Sequence, residues 1–230
     1  MEIVRNDRPL KLLLAGFSAF PGAPENPSER LVREFDAVAF AEGACIERLV
    51  LPVEWKRSWR VLEAAIRRTA PVAVLLVGLH ARAKRFRIET LAFNERALDR
   101  PDAAGRLAPA PDIGAGPASI EVRLPFDALE RDLAAVGIDF ERSSDPGRYL
   151  CNETLFHLCL NGDELGVRYY GFIHTPLTDE CVTDAERSGR PKEVRRTVRS
   201  SELRSMTETV LNCLAWALAQ EAERSPMPTA

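Results

Sequence analysis

One of the five cysteines in this 230-residue chain stands where its chemistry could be used. Cys151 follows Asp145-Pro146-Gly147 at the entry of residues 150–160, whose apolar spacing predicts a helix. A thiol in the first turn of a helix feels the positive end of the dipole and is expected to ionise more readily. His174 closes the apolar run 167–174, which reads as a strand, directly before Thr175-Pro176. In a parallel β–α–β unit the helix starts at the carboxyl edge of the sheet and the next strand returns to that edge, so Cys151 and His174 should meet at one rim. A thiol beside an imidazole there is an activated nucleophile. Taken singly, each has a plainer explanation. A cysteine near a helix start is usually a small core residue, and a histidine at a strand end is usually only hydrogen-bonded. It is the expected convergence that points to chemistry. A carboxylate or amide should orient the imidazole; Glu54, Glu89, Glu95, Asp99 and Asp145 qualify by type, and spacing does not choose among them.

Other motifs fall away. Gly16-Phe17-Ser18-Ala19-Phe20 lacks the second glycine of a nucleophile elbow, and Gly114-Ala115-Gly116 lacks the strand and spacing of a dinucleotide fingerprint. His157 and Cys159 are two apart on a helix and so face different ways, which argues against a shared metal site.

The elements that must position Cys151 and His174 follow from the period of the apolar pattern. Residues 10–16 read as a buried strand, after which Pro21, Gly22, Pro24 and Pro27 mark a loop and Ser28 can cap a helix using Leu31, Val32 and Phe35. Residues 45–51 suit a second strand. Trp55, Trp59, Leu62, Ala65 and Ile66 recur at helical spacing. The continuous run 71–79 reads as a central strand covered on both faces, and 86–93 as one further strand. Residues 99–118, rich in Ala, Pro, Gly and Asp, form a long loop; this loop and 18–27 are expected to line the site entrance and to be mobile for want of apolar anchors. A helix over 126–136 stopped by Gly137, a short strand at 138–142, and a long amphipathic helix over 201–220 complete the pattern. Alternating strands and helices predict an α/β fold: a single domain over 10–223, an open, mainly parallel twisted sheet with helices on both faces, and fraying tails at 1–9 and 224–230.

Composition narrows the function. Lys plus Arg is 31 against 34 Asp plus Glu, so the net charge of −3 argues against a nucleic-acid partner. The longest apolar run, 72–79, is far short of the ~20 residues of a membrane helix, so no membrane partner is expected. An odd set of cysteines without a C-x-x-C pair fits reduced thiols in a cytoplasm.

Several short blocks then occur in a specific order. They are Gly16-Phe17-Ser18-Ala19-Phe20-Pro21-Gly22 with Asn26-Pro27-Ser28, Leu51-Pro52-Val53, Val77-Gly78-Leu79, and Ile88-Glu89-Thr90-Leu91-Ala92-Phe93-Asn94. Gly116-Pro117-Ala118, Leu124-Pro125, Gly147-Arg148-Tyr149-Leu150-Cys151-Asn152 and Gly171-Phe172-Ile173-His174-Thr175-Pro176 follow. In that order, over residues 11–178, the chain resembles the pyroglutamyl peptidase I (pyrrolidone-carboxylate peptidase) family. The resemblance implies an open α/β sheet flanked by helices and a cysteine peptidase that removes an N-terminal pyroglutamyl residue. Motif by motif, it implies Cys151 as nucleophile, His174 as base and Glu89 as the group orienting the histidine. Phe17, Phe20 and Tyr149 would form a slot for the flat lactam ring. Main-chain amides at Asn152, with Arg100, would hold the oxyanion. The expected partner is a peptide or small amide substrate, no metal or organic cofactor is called for, and a homo-oligomer is expected because family members are often tetramers.

The chain also departs from the family. It has Pro21-Gly22 in place of Gly-Gly, and His80-Ala81-Arg82-Ala83 in place of a Gly-rich turn with an arginine. The family's Asp-Ala-Arg-Ile-Pro-Asp-Asn run is Ala97-Leu98-Asp99-Arg100-Pro101-Asp102, so Arg100 fits only with a slip of one residue; its Pro-Glu-Gln is Thr178-Asp179-Glu180. These departures keep two further readings open: a cysteine amidase acting on another small cyclic or blocked amide, and a silent homologue serving as a binding scaffold.

Overall fold

A computed structural model describes residues 10–21, 23–36, 43–182 and 197–224. The elements run β1 (Lys11–Phe17), α1 (Pro27–Glu34), β2 (Cys45–Leu51), α2 (Arg57–Thr69), β3 (Ala73–Leu79), β4 (Phe86–Glu89), β5 (Leu91–Phe93) and β6 (Ser119–Glu121). They continue with α3 (Phe126–Ala135), β7 (Phe140–Ser143), α4 (Leu150–Asn161), β8 (Tyr169–Thr175), β9 (Leu177–Thr178), β10 (Thr197–Val198) and α5 (Ser200–Arg224). The tails expected at 1–9 and 224–230 lie outside the described residues, apart from Arg224, which ends α5.

Six strands form one sheet in the order β2-β1-β3-β8-β4-β7. Its middle strands β1, β3 and β8 are apolar and buried on both faces, as a sheet covered by helices requires. Helix α5 contacts both α1 and α3, while α2 contacts α4, giving two separate helical groups for the sheet to bury. The α/β fold with a mainly parallel sheet is the one the alternating pattern predicts. Among the described residues no helix is long and apolar enough to cross a membrane.

The structure corrects several local expectations. Ser28 lies inside α1; the N-cap is Asn26, whose Oδ1 accepts from the Ser28 amide, with Pro27 in the first turn. Ser28 instead ties the helix to the end of β1, its hydroxyl accepting from the Phe17 amide at 3.0 Å. The run 86–93 is two strands. It breaks at Thr90, whose amide donates to the Ser143 carbonyl while its own carbonyl accepts from Val122, so β4 stays in the large sheet and β5 pairs with β6 against α4. Gly137, at φ +71°, ends α3 as expected.

Strand direction differs too. β4 runs antiparallel to β8 and parallel to β7, so β7, α4 and β8 are not the parallel unit assumed from sequence. Residues 144–149 must therefore climb back past the end of β4 before α4 begins. Arg87 holds that return, donating to the Ser143 hydroxyl and the Asp145 carbonyl. Cys151 still reaches the rim where β1, β3 and β8 end.

Candidate active site

The register of the sheet sets the histidine. His174 lies opposite Gly78 of β3 on one side and Arg87 of β4 on the other. In an antiparallel pair the residues facing each other share a face, and the diagonal neighbour two positions on is still within reach of long side chains. Glu89 is that neighbour. Its Oε1 lies 2.7 Å from His174 Nδ1, with Glu89 fully buried and His174 nearly so. Of the competing carboxylates, Glu54 pairs with Arg57 and Arg106, Glu95 and Asp145 pair with Arg148, and Asp99 is exposed to solvent. Arg87 adds positive charge behind Glu89, its Nε 3.5 Å from the same oxygen.

Cys151 is the second residue of α4, partly buried, and lines one cavity with His174. Room for the sulfur comes from Gly78. A Cβ there would stand 3.1 Å from Cys151 Sγ and 2.6 Å from the Phe172 ring, so this position needs glycine for close approach. Burial pushes the Cys151 thiol up, to about 12, and Glu89 adds to this; Arg100 and the cysteine's own amide pull the other way. The easier ionisation expected from the helix start is thus overturned, because desolvation of a thiolate outweighs a half-charge at a helix end. The sulfur rests as a thiol and needs a proton acceptor beside it to react.

The helix start is nonetheless open to an anion. Its N-cap, Tyr149, makes no side-chain cap, which leaves the first-turn amides of Leu150, Cys151 and Asn152 without intrahelical partners. The Asn152 side chain is committed to structure: Oδ1 accepts from the Phe93 amide, and Nδ2 donates to the carbonyls of Phe93 and Glu95, all within 2.9 Å. Only its main-chain N–H is left for oxyanion work. Arg100 reaches the cavity from loop 99–118, its guanidinium 4.3 Å over the Tyr149 ring.

The cavity has a volume of 140 Å³ and apolar walls that include Phe17, Phe20, Val53 and Tyr149. A void of about 150 Å³ holds one benzene-sized ring. Tyr149 is fixed by an edge contact from Trp55 at 5.3 Å and by donating its hydroxyl to the Pro101 carbonyl at 2.7 Å. Phe20 lies 6.3 Å from the same ring, and Phe17 packs on Phe172 at 5.9 Å. The three aromatic residues expected to form a slot are therefore together, with Phe17 doubling as core.

Sequence reasoning missed the supports. His80 stands edge-on to His174 with ring centres 5.5 Å apart. Loop 99–118 is anchored by Ile113, which joins the hydrophobic core, and by buried charges. Asp102 accepts from the amides of Trp55, Ala104 and Arg106. Arg96 forms a buried ion pair with Glu153 at 2.6 Å and also donates to the carbonyls of Asp112 and Ile113. Glu153 sits two residues after Cys151, and its other oxygen accepts from the Lys56 amide. The pair thus locks the nucleophile's helix to two loops. Removing one partner strands a buried charge, so Arg96→Ala should cost about 3–5 kcal/mol in urea unfolding, and the double variant Arg96→Met/Glu153→Leu should recover part of it. A loss below about 1 kcal/mol would show that the pair anchors nothing.

A family model described as pyroglutamyl peptidase matches residues 10–210. A pyrrolidone-carboxylate peptidase of Pseudomonas fluorescens is 32% identical over 180 residues, covering 76% of this chain and 83% of that protein. One from Pyrococcus furiosus is 29% identical over 177 residues, covering 76% and 85%. The crystal structure of a mutant pyrrolidone carboxyl peptidase from P. furiosus superposes with a TM-score of 0.81 at 25% identity, covering 90% of this chain and 98% of that one.

Proposed function

The chain belongs to the pyroglutamyl peptidase family, and on that premise we propose that it is a cysteine peptidase that removes an N-terminal pyroglutamyl residue from peptides, with Cys151, His174 and Glu89 as its catalytic groups. The observation that carries the assignment of residues is the 2.7 Å contact of His174 with a fully buried Glu89, on the rim of the cavity that holds the Cys151 thiol. A carboxylate at Nδ1 keeps the proton there and leaves Nε2 free to accept another.

The pyroglutamyl ring enters the aromatic slot. His174 Nε2 takes the thiol proton as the sulfur attacks the carbonyl joining the ring to the next residue. The tetrahedral oxyanion is held by the first-turn amides of α4, with Arg100 adding positive charge. The imidazolium, steadied by Glu89, then gives its proton to the leaving amine and a thioester forms. Water, deprotonated by the same imidazole, cleaves the thioester to release pyroglutamate and restore the thiol. Because burial holds the resting sulfur protonated, this proton transfer to His174 is the step that creates the nucleophile. The test is hydrolysis of a pyroglutamyl-coumarin amide: the wild type should release coumarin and Cys151→Ala should not. A wild type inert on this substrate but active on another blocked cyclic amide would favour the amidase reading.

A further inference from the structure

Beside the aromatic slot lies a second cavity of 570 Å³, lined by Leu79, His80, Ala81, Arg82 and Arg100; three of these residues, Leu79, His80 and Arg100, also line the cavity of Cys151. The two spaces are therefore neighbours, one apolar and next to the thiol, the other basic. Neither Arg82 nor Arg100 pairs with a carboxylate among the described residues, and Arg100 rests only on the Tyr149 ring. His80 forms the wall shared by the two spaces. Its Nε2 lies 3.4 Å from Arg87 Nη1, and a guanidinium can only donate, so Nε2 is the acceptor and the ring proton sits on Nδ1. That Nδ1–H is buried and bonds only the residue's own backbone, so it faces away from the cavity. Burial, His174 and Arg87 all hold the His80 ring below its ordinary basicity, so the positive charge around the space comes from the two arginines. Two unpaired guanidinium groups around one space are complementary to a carboxylate.

We propose that this second cavity binds a carboxylate on the residue that leaves, held by Arg82 and Arg100, so that the preferred substrates are anionic on the leaving side. This rests on the peptidase reading and names its substrate class. Once the ring fills the aromatic slot, the scissile nitrogen points out of it, and the next residue occupies the adjoining space. The carboxylate can come from two sources: the free terminus of a pyroglutamyl dipeptide, or an Asp or Glu side chain in that position.

The experiment compares kcat/KM for two matched pairs, pyroglutamyl-alanine against its amide, and pyroglutamyl-glutamate amide against pyroglutamyl-glutamine amide. The first pair reads the terminal carboxylate and the second the side chain. The acid member of at least one pair should be favoured about five- to tenfold, and Arg82→Gln and Arg82→Glu should progressively erase the preference. Equal kcat/KM within both pairs, or a preference untouched in Arg82→Glu, would overturn the proposal. A second readout needs no pyroglutamyl substrate. The ratio of iodoacetate to iodoacetamide alkylation at Cys151 should fall several-fold in Arg82→Glu, and an unchanged ratio also overturns the subsite. Failure of every pyroglutamyl compound to react would overturn the peptidase reading instead, with the alkylation ratio still deciding the subsite.

Discussion

Cys151→Ala loses hydrolysis of a pyroglutamyl-coumarin amide by at least ~10³-fold in kcat while its unfolding transition stays close to that of the wild type. The size of the loss follows from the covalent step: no other group on the cavity wall can form the thioester, and the oxyanion amides and aromatic slot alone give a small residual rate. Stability is spared because the side chain is small and only partly buried. Cys151→Ser should be nearly as inactive. Its hydroxyl is a far weaker acid than the thiol, and the same burial that pushes the thiol to about 12 opposes an alkoxide still more strongly. The remaining cysteines give the internal control. Cys159, Cys181 and Cys213 are buried and Cys45 is exposed at the far edge of the sheet, so their replacement by alanine leaves kcat unchanged. Retention of more than a few per cent of activity in Cys151→Ala would remove the nucleophile from the mechanism.

Glu89 has the second largest expected effect. Glu89→Gln keeps an acceptor for His174 Nδ1 but loses the charge that steadies the imidazolium formed in both halves of the reaction. Glu89→Ala loses both and leaves Arg87 close to His174 with no carboxylate between them. Both variants should lower kcat, by about 10²- to 10⁴-fold, with alanine at least as damaging as glutamine and neither as damaging as Cys151→Ala. The loss should fall on kcat more than on KM, since the carboxylate matters most when the imidazole is charged. Wild-type turnover in Glu89→Ala would retire its role, because a merely structural residue predicts a change in stability alone.

How these groups come together was only partly legible in the sequence. The fold class was, because the apolar runs of β1, β3 and β8 and the helical spacing of α2 each point one way. That Cys151 and His174 share one cavity was reached by argument, but that argument used a parallel crossover between β7 and β8 that the chain does not contain. Nothing in the residue types of Phe86–Glu89 or Phe140–Ser143 records that these strands run against β8. The same reversal is what makes Glu89 a diagonal neighbour of His174, so the choice of Glu89 over four other carboxylates needed the family resemblance. Buried ions were illegible for a related reason. Arg96 and Glu153 are 57 residues apart, and each looks like a surface charge until its partner is known. Loop 99–118 therefore looked mobile from its Gly and Pro content, although Asp102 and Arg96 tie it down. The thiol's direction of shift was misjudged because helix position is visible in sequence and desolvation is not.

The most direct test of the central claim is inactivation by a pyroglutamyl chloromethyl ketone, which joins recognition of the ring and attack by the sulfur in one event. The account predicts saturable inactivation, one equivalent of label found on Cys151 alone, protection by free pyroglutamate, and slower labelling in Glu89→Ala. Label on another cysteine, or labelling of Cys151 that neither saturates nor responds to pyroglutamate, would contradict it.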